Sequence, residues 1–200
     1  MATDASTGRD TASRVEAAVV NSHLASGLPV VVTHPGGDGI LVIPAHNSST
    51  ATMAFMIRHT AGFVQIALPQ KRCVEMRLPP MEPFDCDSTR MCVGVDATHG
   101  VGTGISAADR ATTARRLLEP AAEPEEFTRP GHLVPICVDD RGIETAASSA
   151  AIALKLVRSA GLPEGAVFAE LVSVISPIRM MNHHECIGFA RHHGLPHVLY

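Results

Sequence analysis

Val101-Gly-Thr-Gly-Ile-Ser-Ala-Ala-Asp-Arg110 is the stretch on which the fold turns. Its first half is too rich in glycine to sustain a regular element, and its second half opens one. Ser106 is a helix N-cap residue type, and Asp109 falls three residues later in the favoured first turn of a helix running to Leu118. Upstream, Met91 to Val95 is strand-like. A glycine-rich turn delivering the chain into a helix start can hold an anion on its backbone N–H groups, which makes Thr103 a candidate binding position.

The same alternation of strand and helix continues in both directions. Arg14 to Ser26 is expected to be a helix ended by Gly27, followed by a strand at Pro29 to Thr33, a turn at 34–39 and a strand at Ile40 to Ile43. Apolar residues at 53, 56 and 57 give Ser48 to Thr60 a helical period. Phe63 to Leu68, His132 to Val138, Ala166 to Val172 and Pro196 to Leu199 are expected strands. Ala150 to Ala160 and 184–193 are expected helices, and the Pro/Glu-rich stretch Glu119 to Glu126 a loop. No repeat and no linker interrupts the series. The expectation is one α/β (α+β) domain, a sandwich with a mixed sheet flanked by helices, over 13–200, preceded by a disordered lead-in over 1–12.

Composition narrows the class. Of 200 residues 46% are hydrophobic, but aromatics are scarce, so aliphatic residues, alanine and methionine must fill the core. A net charge of -4 with interspersed signs gives no footprint for nucleic acid. No apolar run reaches the ~20 residues needed to span a bilayer, and the polar N-terminus lacks the apolar segment of a secretory signal. The cysteines, at 73, 86, 92, 137 and 186, are odd in number and form no Cys-x-x-Cys pair. Reduced thiols in a cytoplasm are expected.

With Arg129-Pro-Gly-His132 and Glu170, the Val101–Arg110 stretch makes the chain resemble 3,4-dihydroxy-2-butanone 4-phosphate synthases over roughly residues 14–200. Phe55-Met-Ile-Arg-His59, Arg72-Cys73, Leu78-Pro-Pro-Met81, Val95-Asp-Ala97, Ala160-Gly-Leu-Pro163, Glu170-Leu-Val172 and Gly194-Leu-Pro196 extend it in order and spacing. The resemblance implies a homodimer with active sites near the subunit interface. It also implies a reaction in which ribulose 5-phosphate loses C4 as formate after enolisation and rearrangement, with magnesium organising the oxygens. On the same ground His132 and Glu170 are candidate catalytic residues, and Thr103, Asp96, Asp109 and Arg129 candidate substrate-binding residues.

Two family motifs do not match. An acidic loop carrying a metal-binding Glu is replaced by His34-Pro-Gly-Gly-Asp-Gly-Ile40, with Gly36 at that Glu and Ile40 at an Asp. The Arg-x-Gly-His-Thr-Glu segment falls on Ala146, Ser149, Ala150 and Ala151, and Gln65 stands where the family usually has Cys. The reading taken from these changes is a divergent lyase or isomerase in specialised metabolism. It acts on a small phosphosugar or hydroxyketone, with no magnesium and no other cofactor. A silent homologue binding a metabolite or an active subunit ranks second, and a true 3,4-dihydroxy-2-butanone 4-phosphate synthase last. His34, Asp38 and His46 form a possible replacement metal site. The histidines at 183, 184, 192, 193 and 197 are expected to be solvated, because adjacent helical positions face different ways.

Overall fold

Strands buried on both faces are apolar at successive positions, not alternate ones, and Val30–Thr33 (β1) and Gly39–Pro44 (β2) are buried throughout. A computed structural model describes residues 16–34, 38–82, 89–146 and 148–200. The expected lead-in over 1–12 lies outside these residues. The further strands are Gln65–Pro69 (β3), Thr89–Met91 (β4), Val95–Ala97 (β5), Phe127–Val138 (β6), Ala166–Glu170 (β7) and His197–Leu199 (β8). They form one mixed eight-stranded sheet in the order β4-β6-β3-β7-β2-β1-β8, with β5 also pairing β6. β3 runs parallel to β6 and antiparallel to β7.

Helices cover both faces. They are residues 16–25 (α1), Thr50–His59 (α2), Gln70–Glu75 (α3), Ala107–Leu118 (α4), Asp140–Thr145 (α5), Ser149–Ser159 (α6) and His183–His193 (α7). Val31, Leu41, Ile66, Leu68 and Val167 pack with Met53 and Met56 of α2, Leu117 of α4 and Ala190 of α7. The alternate strand positions, among them Val30, Val42, Ala67, Ile136 and Phe168, pack with Leu24 of α1, Ile143 of α5 and Leu154 of α6. Burying one such side chain contributes about 1.5–3 kcal/mol. This three-layer sandwich is the expected fold. No helix among the described residues is long and apolar enough to cross a membrane.

Ser106 accepts from the Asp109 N–H and caps α4 as its sequence indicated, and Ser49 caps α2 through Thr52. The expected strand at Met91 to Val95 is instead two short strands, β4 and β5, because both fold back along β6. β6 begins at Phe127, five residues before the expected start. The stretch Glu119 to Glu126 ends in a 3₁₀ turn, Pro124–Glu126.

The helix α3 closes with Arg77 N–H bonded to the Val74 carbonyl and Leu78 N–H to that of Cys73. That pattern usually places glycine at the left-handed position, yet Arg77 occupies it at φ 49. A left-handed conformation costs a non-glycine residue about 1–2 kcal/mol. The ion pair of Arg77 with Glu125 is exposed on both sides and returns little. Arg77→Gly is expected to stabilise the protein by about 1 kcal/mol, read as a melting point raised by roughly 2–4 °C.

Candidate functional site

Gln65 of β3 stands opposite Val134 of β6 and Phe168 of β7. Because β7 runs against the other two strands, His132 and Glu170 reach the same end of the sheet, on either side of β3. Two strand spacings separate their backbones, roughly 10 Å. Alternation along each strand turns both side chains, with that of Gln65, towards the face covered by α6.

A bulge between Val95 and Asp96 turns Asp96 towards β6. The approach requires glycine: a Cβ on Gly131 would lie 2.1 Å from the Val95 carbonyl carbon, and one on Gly104 2.0 Å from Asp96 Oδ2. Asp96 Oδ1 accepts the His132 backbone N–H at 2.9 Å, and Oδ2 lies 2.7 Å from His132 Nδ1. The carboxylate side chain is 9% exposed and the imidazole 42%. A neutral ring donating Nδ1–H to Asp96 presents the Nε2 lone pair outward, the arrangement of an oriented general base.

Gln65 Nε2 donates to Glu170 Oε2 at 3.2 Å. Burial raises the Glu170 pKa above the usual carboxylate range, and the negative charge of Asp38 raises it further. Asp38, just before β2, is therefore close enough for its charge to act on Glu170 at the end of the neighbouring β7. Neither Arg129 nor Arg110 pairs with Glu170: Arg129 bonds the carbonyls of Pro124, Phe127 and Met76 at 3.0, 2.8 and 2.7 Å. Arg110 bonds the Gly62 carbonyl at 3.2 Å, and its charge acts on Asp96.

Two of the expected substrate-binding side chains, Arg129 and Asp109, spend hydrogen bonds on the chain's own backbone. Arg129 braces backbone. Asp109 accepts the Gly102 and Gly104 N–H groups at 3.2 and 3.0 Å, and these bonds, led by that from Gly102, hold its carboxyl below the ordinary value. Those two N–H groups of the turn are consequently occupied by the chain's own carboxylate, and Thr103 lies exposed on the outside. His132, Asp96 and Glu170 gather at the sheet end with Gln65 and Arg110, which the sequence alone does not place among the site residues, and with Asp38, expected there only as part of a replacement metal site. Pairing of Gln65 with Glu170 spans 105 positions, beyond any local signal.

The replacement metal trio does not form. His34 and Asp38 close the β1–β2 turn through a 2.8 Å backbone bond, but His46 follows the opposite end of β2, about 20 Å away by strand rise. Several tail histidines are packed, not solvated. The His193 ring lies 4.7 Å from that of His59 and 4.4 Å from Phe189, and His197 Nε2 is 2.7 Å from Thr33 Oγ1. At the second unmatched motif, Ala146 ends α5 in a left-handed conformation and Ser149 begins α6. Gly36 lies outside the described residues.

The family model for 3,4-dihydroxy-2-butanone 4-phosphate synthase matches residues 18–199. The chain belongs to that family. Members of it similar to this chain include the riboflavin biosynthesis protein RibBA of Mycobacterium marinum (strain ATCC BAA-535 / M), 40% identical over 79% of this chain and 38% of the relative. RibBA of Mycobacterium tuberculosis (strain ATCC 25618 / H37Rv) is 37% identical over 90% of this chain and 43% of the relative. The chain thus spans about two fifths of these curated relatives. A solved family synthase in complex with two magnesium ions superposes with a TM-score of 0.81 at 34% identity, covering 90% of each chain. The synthase of Candida albicans gives 0.82 at 30% identity, over 90% of this chain and 91% of the other.

Two expectations are corrected by these findings. Identity of 37–40% to RibBA proteins over most of the chain points to the family's own reaction, ranked last from the motifs, and away from a divergent one. The expectation of a magnesium-free site falls with the magnesium complex of a close structural neighbour. This chain's donors fit such an ion in kind: Asp38 and Glu170 offer hard oxygens, and magnesium commonly takes one or two carboxylates with water and substrate oxygens. Among the described residues no group of three or more His, Cys, Asp or Glu side chains is placed to hold a metal ion.

Proposed function

We propose that this chain is a 3,4-dihydroxy-2-butanone 4-phosphate synthase, releasing formate from ribulose 5-phosphate. The observation that carries the reading is the His132–Asp96 couple, at 2.7 Å, placed at the sheet end that also holds Glu170 in a chain of this family. Enolisation needs a base for a carbon-bound proton. His132 Nε2 takes that proton, and buried Asp96 steadies the imidazolium so formed. Glu170, oriented by Gln65, and Asp38 would hold magnesium, which when bound would supply charge neutralisation to the substrate oxygens. The positive charge of Arg110 beside Asp96 balances the carboxylate when the imidazole is neutral.

The same reading makes the protein a homodimer in the cytoplasm. Val174, Ile175 and Ile178 are 83%, 76% and 94% exposed on the segment after β7, an apolar patch suited to a second copy. Cys73, Cys92, Cys137 and Cys186 are free and buried, as suits a reducing compartment. Incubation of the purified chain with ribulose 5-phosphate and magnesium is expected to release formate, and chelation of the metal to stop it. Absence of formate at saturating magnesium would sink the reading.

A further inference from the structure

Three thiols that the reaction does not use converge at the opposite end of β6. Cys137 lies five residues beyond His132 on that strand, roughly 16 Å by strand rise. Its register partners are Leu68 on β3 and Arg90 on β4. Cys73 Sγ lies 3.9 Å from the Leu68 carbonyl, and Cys92 Sγ 3.9 Å from that of Arg90. All three sulfurs belong to the same buried cluster on this face of the sheet. All three line one cavity of about 420 Å³ together with Arg77, Leu78 and Arg90. Elsewhere they are enclosed, being 3%, 1% and 6% exposed for Cys73, Cys92 and Cys137.

We propose that this cavity is a peroxide-reactive thiol site in which Cys137 is oxidised and Cys73 closes a disulfide onto it. The oxidant is a small hydroperoxide, ROOH, which a cavity of this size admits. The Cys137 thiolate attacks the terminal oxygen; the S–O bond forms, the O–O bond breaks, and RO⁻ leaves, taking the thiol's proton as ROH. Cys73 then attacks the sulfenic sulfur; the S–S bond forms, the S–O bond breaks, and hydroxide leaves with the Cys73 proton as water. Two thiols give up two electrons and one peroxide bond accepts them.

Charge and geometry agree on the order. The neighbouring Cys73 thiol, and with it the charge of Arg90 opposite, brings the Cys137 pKa down to about 7. Beside Cys137 and Cys92 and buried, the Cys73 thiol is pushed up and stays protonated until its neighbour has reacted. A thiolate beside a cation is the reactive form of cysteine. Cys186, buried on α7 without such a cation, is pushed the other way by burial and serves as an internal control.

The test treats the full chain with one equivalent of hydrogen peroxide, alkylates remaining thiols after denaturation and maps peptides without reduction. A Cys73–Cys137 linkage reversed by dithiothreitol is expected, with Cys186 alkylated. Cys137→Ser is expected to slow peroxide consumption about tenfold or more. Cys73→Ser is expected to leave a sulfenic acid on Cys137 that dimedone traps. The wild-type map decides the matter even where a variant folds poorly. Thiols left reduced, Cys186 oxidised as fast as Cys137, or a sulfenic acid persisting on Cys137 beside an intact Cys73 would each overturn the proposal.

Discussion

His132→Ala is expected to lower kcat for formate release by about 10²–10⁴-fold, the range spanned by a positioned acid–base group. Melting should stay close to wild type, because the imidazole is 42% exposed and packs little. Removing the ring leaves Asp96 with the His132 backbone N–H still bonded at 2.9 Å, so the carboxylate keeps one partner. Asp96→Asn separates orientation from proton transfer. Its amide retains the space that Gly104 leaves for the carboxylate, but an NH₂ group facing Nδ1 drives the proton to Nε2, the wrong tautomer for a base. A fall of similar order in kcat, with KM within a few-fold, is the expected result of steady-state kinetics. A variant that loses KM alone would make His132 a binding group and not a base.

Glu170→Gln is expected to act in opposite directions with and without magnesium. In the metal-free protein the folded-state pKa of Glu170 is raised, chiefly by burial and further by Asp38. The sign follows from linkage. Stability is fully present below the unfolded carboxylate value of about 4.3 and is lost as pH rises through the raised folded value. The uncharged glutamine escapes that loss, so the variant should melt higher than wild type at neutral pH without metal, and the difference should vanish in acid. Magnesium reverses the order. At a concentration 100-fold above its dissociation constant, an ion bound only to the folded state adds about 2.7 kcal/mol, or roughly 5–10 °C for a chain of this size. Glu170→Gln removes one of two carboxylates and should lose most of that rise. Thermal melts across a magnesium series, for both proteins, read both effects; an equal rise in the two would exclude Glu170 from the metal site.

Local signals in the sequence reach a long way into the fold. Ser106 and Asp109 mark the start of α4 because capping is a contact between neighbours in sequence. The same holds for the apolar spacing of Met53 and Met56 on α2. The helices α3 and α5 escape notice because six residues do not complete two turns of an apolar period. The strand β6 starts earlier than read because Pro130 and Gly131 look like a break, whereas Gly131 is what lets β5 approach. His132, Asp96 and Glu170 are visible as residue types in ordered motifs, but their grouping depends on sheet register between distant strands. Asp109 and Arg129 show the opposite case. Both look like ligand-binding groups in one dimension, and both spend their hydrogen bonds on the chain's own backbone.

The functional misreading has a physical origin too. Gly36 and Ser149 count as lost ligands only if each motif is an indispensable part of a full coordination shell. A hard divalent ion that keeps water and substrate oxygens needs fewer protein donors; in the proposed site Asp38 and Glu170 would be two of them.

Ribulose 5-phosphate labelled with ¹³C at C4, followed by NMR in the presence of magnesium, tests the central claim most directly. Wild-type protein should place the label in formate, and His132→Ala, folded to the same melting temperature, should leave it in the sugar phosphate. Label retained in a phosphorylated product with the wild-type protein, or formate formed equally well by the variant, would contradict the account.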